Sequence, residues 1–224
     1  MLSSLIGGQL DFLSAVIYII SSLVVIFLTL PIHEFAHGYA AVKLGDNTPP
    51  WQGRLTLNPF AHIDYVGSLF ILLFGFGWAK PVQVNHYNFR HPKRDMAITA
   101  FAGPLSNIIM AFIFNILAYI LVLLPLDSTV LFYVVLFCSF VVRINVTLAV
   151  FNLIPISPLD GSRILTAFLP DRTYYKIMQY ERYIYLGFLL LLFTDVLDLP
   201  IGYVSGLIIN FIDAVCNGIF SIFM

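Results

Sequence analysis

The chain has 224 residues, of which 60% are hydrophobic and only 10% are charged. Soluble domains carry about 25% charged residues, so this composition excludes an ordinary soluble protein and indicates an integral membrane protein. The formal net charge of −1 gives no support for a nucleic-acid-binding protein. We expect one membrane-embedded domain over residues 1–224.

Five apolar segments are long enough to cross a bilayer as helices, which takes about 20 residues. They cover about 12–32, 96–124, 129–154, 174–193 and 201–222. The first continues in helical register to about Leu44, and a further run at 66–77 is short for a span. The predicted fold class is an all-α polytopic membrane protein with five to six transmembrane helices.

The distribution of basic residues predicts the topology, because Lys and Arg concentrate on the cytoplasmic side. They flank the short run and follow the third span, and they are absent from the turns that contain Asp127 and Asp195. All basic segments share one side only if residues 66–77 dip into the membrane and return. We therefore expect a re-entrant segment there, five full crossings, an outside N-terminus and a cytoplasmic C-terminus.

The sequence His33-Glu34-Phe35-Ala36-His37 is typical of a metal site on a helix. Positions i and i+4 lie on one helical face, so both imidazoles can reach one ion. Glu34 lies where it can take a proton from a water at the metal, as the base of a zinc metalloprotease does. The alternative, two histidines and a glutamate without a metal at the membrane boundary, would leave a costly polar cluster.

A catalytic zinc site uses three protein ligands, so a third is needed. The best candidate is Asp160, which follows the third span in a turn broken by two prolines, with Gly161 next to it. Asp160 could instead cap a short helix over 161–169. The histidines that compete with it for the metal are His62, His86 and His91.

Three motifs in this chain resemble the site-2 protease family of intramembrane zinc metalloproteases. They are HEFAHG (33–38), AGPLSN (102–107) and FNLIPISPLDG (151–161). The resemblance covers about residues 12–170, and we expect accessory helices at about 174–222. Within the family, the chain resembles the small prokaryotic members that have no PDZ domain. It implies one Zn²⁺ ion held by His33, His37 and Asp160, with Glu34 as the catalytic base.

The resemblance also implies supporting roles for residues around the metal. Asn152 would hold a substrate or the turn of the third ligand. Gly103, Pro104 and Asn107 would form a close-packed element against the catalytic helix. The implied activity is hydrolysis of peptide bonds at or within the transmembrane segment of a membrane-protein or membrane-tethered substrate, in a multi-pass protein of the prokaryotic cell membrane.

The stretch 78–85 alternates like an edge strand, and proline in a sheet is tolerated at an edge. A helical substrate hides its carbonyl groups, so it must be presented in an extended form. We expect a short β element here that binds substrate by strand addition through Val82 and Val84. A plain surface hairpin is the alternative.

Two other functions compete with the protease. Arg143 and Asp213 fall near the middle of their spans, and ionisable residues in a membrane are also found in transporters and channels. We expect these two charges to pair, because their depths roughly match. The second alternative is a metal-binding pseudoprotease that acts as a membrane chaperone, against which the intact Glu34 argues.

Overall fold

Helices form the regular secondary structure throughout the described part of the chain. The computed structural model describes residues 11–221 except 75, 126, 171–172, 174–175, 177–178 and 193. Its helices are α1 (Phe12–Val24), α2 (Leu30–Lys43), α3 (Thr48–Trp51), α4 (Pro59–His62), α5 (Tyr65–Phe74), α6 (Pro92–Val122), α7 (Ser128–Asn152), α8 (Asp160–Thr166), α9 (Glu181–Leu192) and α10 (Asp198–Phe220). A π-helical turn at Val25–Thr29 joins α1 to α2, and short 3-10 turns occur at His86–Asn88 and Asp195–Leu197.

Four of the described helices are long and apolar enough to cross a membrane. They are the continuous helix Phe12–Lys43 and the helices α6, α7 and α10. With 23 to 32 residues each, they are about 35 to 48 Å long at about 1.5 Å per residue, which exceeds the ~30 Å hydrocarbon core. The all-α polytopic fold is therefore confirmed. The span predicted at 174–193 lies partly outside the described residues, and α9 has 12 residues, so the number of crossings stays a prediction.

Local signals explain where the membrane helices begin and end. At the start of α6, Pro92 occupies the first turn, where no N–H is needed, and Asp95 accepts a hydrogen bond from the His91 N–H at 3.0 Å. Asp127 caps α7 by accepting the Thr129 N–H at 2.8 Å. The same helix ends at Asn152, shortly before the proline-containing turn, as predicted.

The helix α6 packs along α7 and against α2, so the three segments that carry the sequence motifs are neighbours. One buried cluster joins the first helix to α7, with Val25, Leu30, Val141 and Leu148 among its members. Burial of such side chains is not the main force between helices in lipid, where close packing decides the association. The packing brings the C-terminal part of the first helix to the end of α7.

The segment around α5 packs against the first helix through Ile71 and then folds back on itself. A Cβ atom added at Gly77 would collide with the backbone carbonyl of Gly67, so the return chain runs directly against α5. The Lys80 N–H donates to the His62 carbonyl at 2.8 Å, which closes the base of this excursion. Since α5 has only 10 residues and both ends of the excursion meet, this geometry favours the predicted re-entrant segment over a sixth span.

Residues 76–85 follow α5 as irregular chain, and no β-strand is formed by any described residue. The short β element predicted at 78–85 is thus not formed by this chain alone, because no neighbouring strand supplies the ladder hydrogen bonds. The pair predicted between Arg143 and Asp213 is also not formed. Arg143 is exposed on the surface of α7, and no ion pair joins it to Asp213.

Candidate metal centre

The helix α2 carries His33 and His37 on one buried face. Their side chains are one turn apart, and the two Nε2 atoms approach to 3.0 Å. The Nδ1 atom of His37 lies 2.7 Å from the Thr99 carbonyl on α6. Because a carbonyl can only accept, Nδ1 carries the proton and Nε2 presents its lone pair toward His33.

The first residue of α8 is Asp160, and its carboxylate lies beside both imidazoles. Its Oδ2 atom is 3.4 Å from His33 Nε2 and 3.2 Å from His37 Nε2. The alternative reading of Asp160 as a helix cap does not fit, because Leu159 occupies the cap position. The turn needs glycine next to Asp160, since a Cβ at Gly161 would lie 2.5 Å from the Ile154 carbonyl.

The three atoms match the requirements of a zinc ion. Ligands at about 2.0 to 2.1 Å in a tetrahedral arrangement are about 3.3 Å apart, and the three observed separations are 3.0, 3.2 and 3.4 Å. Imidazole lone pairs and a carboxylate oxygen repel one another at these distances unless a proton or a metal cation lies between them, and a zinc ion would be bound by all three atoms at once. The residues present therefore fit the metal.

The carboxylate of Glu34 is adjacent to this triangle. Glu34 is 6% exposed, and one of its oxygens lies within 4.8 Å of the ligand nitrogens of both histidines. Its Oε2 accepts a hydrogen bond of 2.8 Å from the Val82 N–H in the chain that returns from α5. This bond fixes the direction of the carboxylate and joins the returning chain to the centre.

The helix α6 forms a wall of the centre. A Cβ atom at Gly103 would collide with His37 Nε2 and lie 2.6 Å from His33 Cε1. Only glycine allows α6 to approach the two imidazoles this closely.

A cavity of about 600 Å³ opens over the three ligand atoms and Glu34. Val82, Val84 and Asn152, three of the predicted substrate-binding or supporting residues, line it. Phe151 and Leu159 also line it, so apolar side chains surround the polar centre. An extended peptide could reach the ligand atoms through this opening.

Comparison with known proteins identifies the family. The model of peptidase family M50 matches residues 120–194. YwhC of Bacillus subtilis is 40% identical over 184 residues, which cover 81% of this chain and 83% of that protein. The chain belongs to peptidase family M50.

Two more distant relatives are similar over most of the chain. Rip2 of Mycobacterium tuberculosis is 32% identical over 171 residues, covering 74% of this chain and 63% of that protein. MJ0611 of Methanocaldococcus jannaschii is 29% identical over 153 residues, covering 67% and 72%. All three relatives carry the provisional name of a zinc metalloprotease. No solved structure matches the chain significantly.

As a member of M50, the protein is a zinc metallopeptidase. The other histidines that were considered as metal ligands from the sequence lie away from the metal centre. The ring of His62 is buried and its Nε2 lies 2.8 Å from the Thr56 carbonyl. His86 and His91 are exposed. Asp160 is therefore the candidate third ligand that the fold brings to His33 and His37.

The remaining members of the AGPLSN motif in this M50 protein line no part of the cavity. Pro104 and Asn107 are buried within α6, and neither polar atom of the Asn107 side chain has a hydrogen-bond partner among the described residues. Their supporting role stays a prediction. Thr99 was not predicted from the sequence, because its backbone carbonyl, and not its side chain, makes the contact with His37. One signal was available, since Thr99 lies four residues before Gly103 and so shares a face of α6 with it.

Proposed function

We propose that this M50 protein hydrolyses peptide bonds at or within a transmembrane segment of membrane-protein substrates. The observation that carries the proposal is the triangle of His33, His37 and Asp160 with Glu34 beside it, in a cavity among helices long enough to span a bilayer. The relatives in a Bacillus and in mycobacteria support a prokaryotic cell membrane as its location.

In this proposal His33, His37 and Asp160 hold the ion. Zinc, when bound there, supplies Lewis acidity that lowers the pKa of water toward 7 and polarises the scissile carbonyl. Glu34 takes the proton from the attacking water and later gives it to the leaving amine. The Val82 N–H holds the Glu34 carboxylate toward the reacting atoms. The Thr99 carbonyl keeps the proton of His37 on Nδ1 and leaves Nε2 for the metal.

The chain that returns from α5 is suited to present an extended substrate. Its Gln83 and Val84 N–H groups have no hydrogen-bond partner among the described residues. Alternate residues of an extended chain direct their backbone groups to the same edge, so Val84 shares the edge on which Val82 meets Glu34. A substrate strand that pairs with the Val82 carbonyl and the Val84 N–H would bring its own carbonyl to the metal centre.

The test compares the wild type with Glu34→Gln on a membrane-tethered peptide, with zinc content measured in parallel. Glu34→Gln should abolish cleavage and retain bound zinc, because Glu34 is assigned to the water and not to the metal. Asp127→Asn is the matched control, since it makes the same change of charge at the capping position of α7, away from the cavity.

Cleavage by Glu34→Gln at the wild-type rate would refute the assignment of the base. A wild type that binds zinc and cleaves no membrane-tethered peptide would favour the pseudoprotease instead. A wild type without zinc would leave the transporter or channel as the better account.

A further inference from the structure

The returning chain at 80–88 makes hydrogen bonds to residues that the catalytic mechanism does not use. Asp46 follows the end of α2 and is fully buried. Its Oδ2 accepts the Asn85 N–H at 2.7 Å, and its Oδ1 accepts the Asn88 Nδ2 at 2.7 Å. One carboxylate thus joins the end of the catalytic helix to the returning chain.

The carboxylate of Asp46 is also held by Thr48, which lies two residues further along the chain. Its Oδ1 also accepts the Thr48 N–H at 3.0 Å and the Thr48 hydroxyl at 2.5 Å. Burial raises the pKa of Asp46, but the hydrogen bonds from Thr48 and Asn88 outweigh burial and hold the pKa below its usual range. The group is therefore a fixed anion that four donors surround.

Arg54 contacts the other end of the same segment. Its guanidinium donates to the Pro81 carbonyl at 3.1 Å and to the Lys80 carbonyl at 3.3 Å, and it also donates to the Ala61 carbonyl before α5. A planar fork of donors suits several carbonyl groups at once. Arg54 therefore joins the chain before α5, at Ala61, to the start of the returning chain, at Lys80 and Pro81.

Between these two attachments lie the residues that face the metal centre. Val82 donates to Glu34, and Val84 lines the cavity. The Pro81 carbonyl accepts from Arg54 and the Asn85 N–H donates to Asp46, so the rear edge of the segment is held at both of its ends. The front edge at Val82 and Val84 stays turned toward the cavity.

We propose that Asp46 and Arg54 are positioning residues that hold the segment 80–85 from its rear edge, so that Val82 orients Glu34 and Val84 receives the substrate. The proposal rests on the proposed function, since it assigns the front edge to a substrate strand. Neither residue touches the metal ligands.

Asp46→Asn tests the proposal with almost no change of volume. An amide has one acceptor oxygen, so one orientation places its NH2 group against the Asn85 N–H and the other places it against Thr48 and Asn88. Either way a charge-assisted bond is lost and donors face each other. We expect kcat/KM for the tethered peptide to fall about tenfold to a hundredfold, the range for one hydrogen bond to a charged group.

Zinc content and unfolding distinguish a loss of positioning from a loss of folding in these variants. Zinc content of Asp46→Asn should match that of Asp127→Asn, the same substitution at an exposed cap of α7, and Asp46→Asn should still unfold cooperatively although at a lower temperature. Arg54→Lys, which keeps the charge and removes the fork, should reduce kcat/KM in the same direction. Wild-type kcat/KM in Asp46→Asn, or loss of its zinc together with its folding, would overturn the proposal.

Amide hydrogen exchange gives a readout that needs no substrate. In zinc-loaded protein, the hydrogen-bonded amides of Val82 and Asn85 should exchange about tenfold to a hundredfold faster in Asp46→Asn than in Asp127→Asn, because one anchor of the segment is lost. Exchange at α2 should not change. Unchanged exchange at Val82 and Asn85 would refute the positioning role even if the protein cleaves no peptide, so failure of this inference is distinguishable from failure of the proposed function.

Discussion

A single methyl group at Gly103 should disable the metal centre. In Gly103→Ala the new Cβ would lie 2.6 Å from His33 Cε1 and would collide with His37 Nε2. Carbon atoms in good contact are about 3.5 to 4.0 Å apart, so α6 or the imidazoles must move by about 1 Å. Metal–ligand distances tolerate only about 0.2 Å, and such a shift breaks the match between the three ligand atoms and zinc.

The magnitude follows from the cost of overpacking. Forcing one extra carbon into a close-packed site costs about 1 to 3 kcal/mol, which corresponds to about a 5-fold to 150-fold loss of zinc affinity. Competition against a zinc chelator measures this loss directly. Cleavage of a membrane-tethered peptide at limiting zinc should fall in parallel.

Gly206→Ala in α10 is the matched control, because a Cβ there meets nothing within 4 Å. Alanine favours a helix over glycine by about 1 kcal/mol in water, so this control should bind zinc normally and be at least as stable as the wild type. Wild-type zinc affinity in Gly103→Ala would refute the argument that α6 must touch the imidazoles.

Three further predictions concern the ligand set, the intramembrane charges and the topology. Asp160→Ala should lose most of the zinc, since two histidines alone bind weakly; full zinc occupancy measured by metal analysis would exclude Asp160 as a ligand. Arg143→Gln and Asp213→Asn should change the free energy of unfolding additively to within about 0.5 kcal/mol, because no ion pair joins them, and a strong coupling in the double variant would contradict this. Single cysteines at Asn47 and Tyr87, both exposed, should label from the same side of the membrane, because Thr48 and Asn88 next to them are in contact; labelling from opposite sides would make α5 part of a true crossing.

The candidate ligands could be predicted from the sequence because their chemistry depends on residue type. Two histidines four residues apart on a helix, with a glutamate directly after the first, form the pattern of a zinc-binding helix, and Asp160 is marked by prolines that follow α7. The re-entrant segment rests on the positions of Lys and Arg, which report the membrane side, and it stays a prediction.

Other contacts could not be predicted, because backbone groups make them or because helix rotation decides them. The Thr99 carbonyl and the Val82 N–H would be present whatever side chains stood there. Arg143 and Asp213 have suitable depths by residue counting, but α7 turns Arg143 to the outer surface. The expected strand at 78–85 failed for a third reason, since a strand needs a partner that the chain itself does not supply.

The π-helical turn at Val25–Thr29 gives the first helix one place where its length can change. Each residue of an α-helix turns the chain by about 100°, and a π turn contains about one residue more than an α turn. Deletion of one residue within the π turn would convert it to an α turn and would keep His33 and His37 in register with the contact between the Tyr18 hydroxyl and the Ile71 carbonyl. Deletion of one residue elsewhere between Tyr18 and His33 would rotate both histidines by about 100° relative to that contact, so length changes should persist during evolution in the π turn and be eliminated on either side of it.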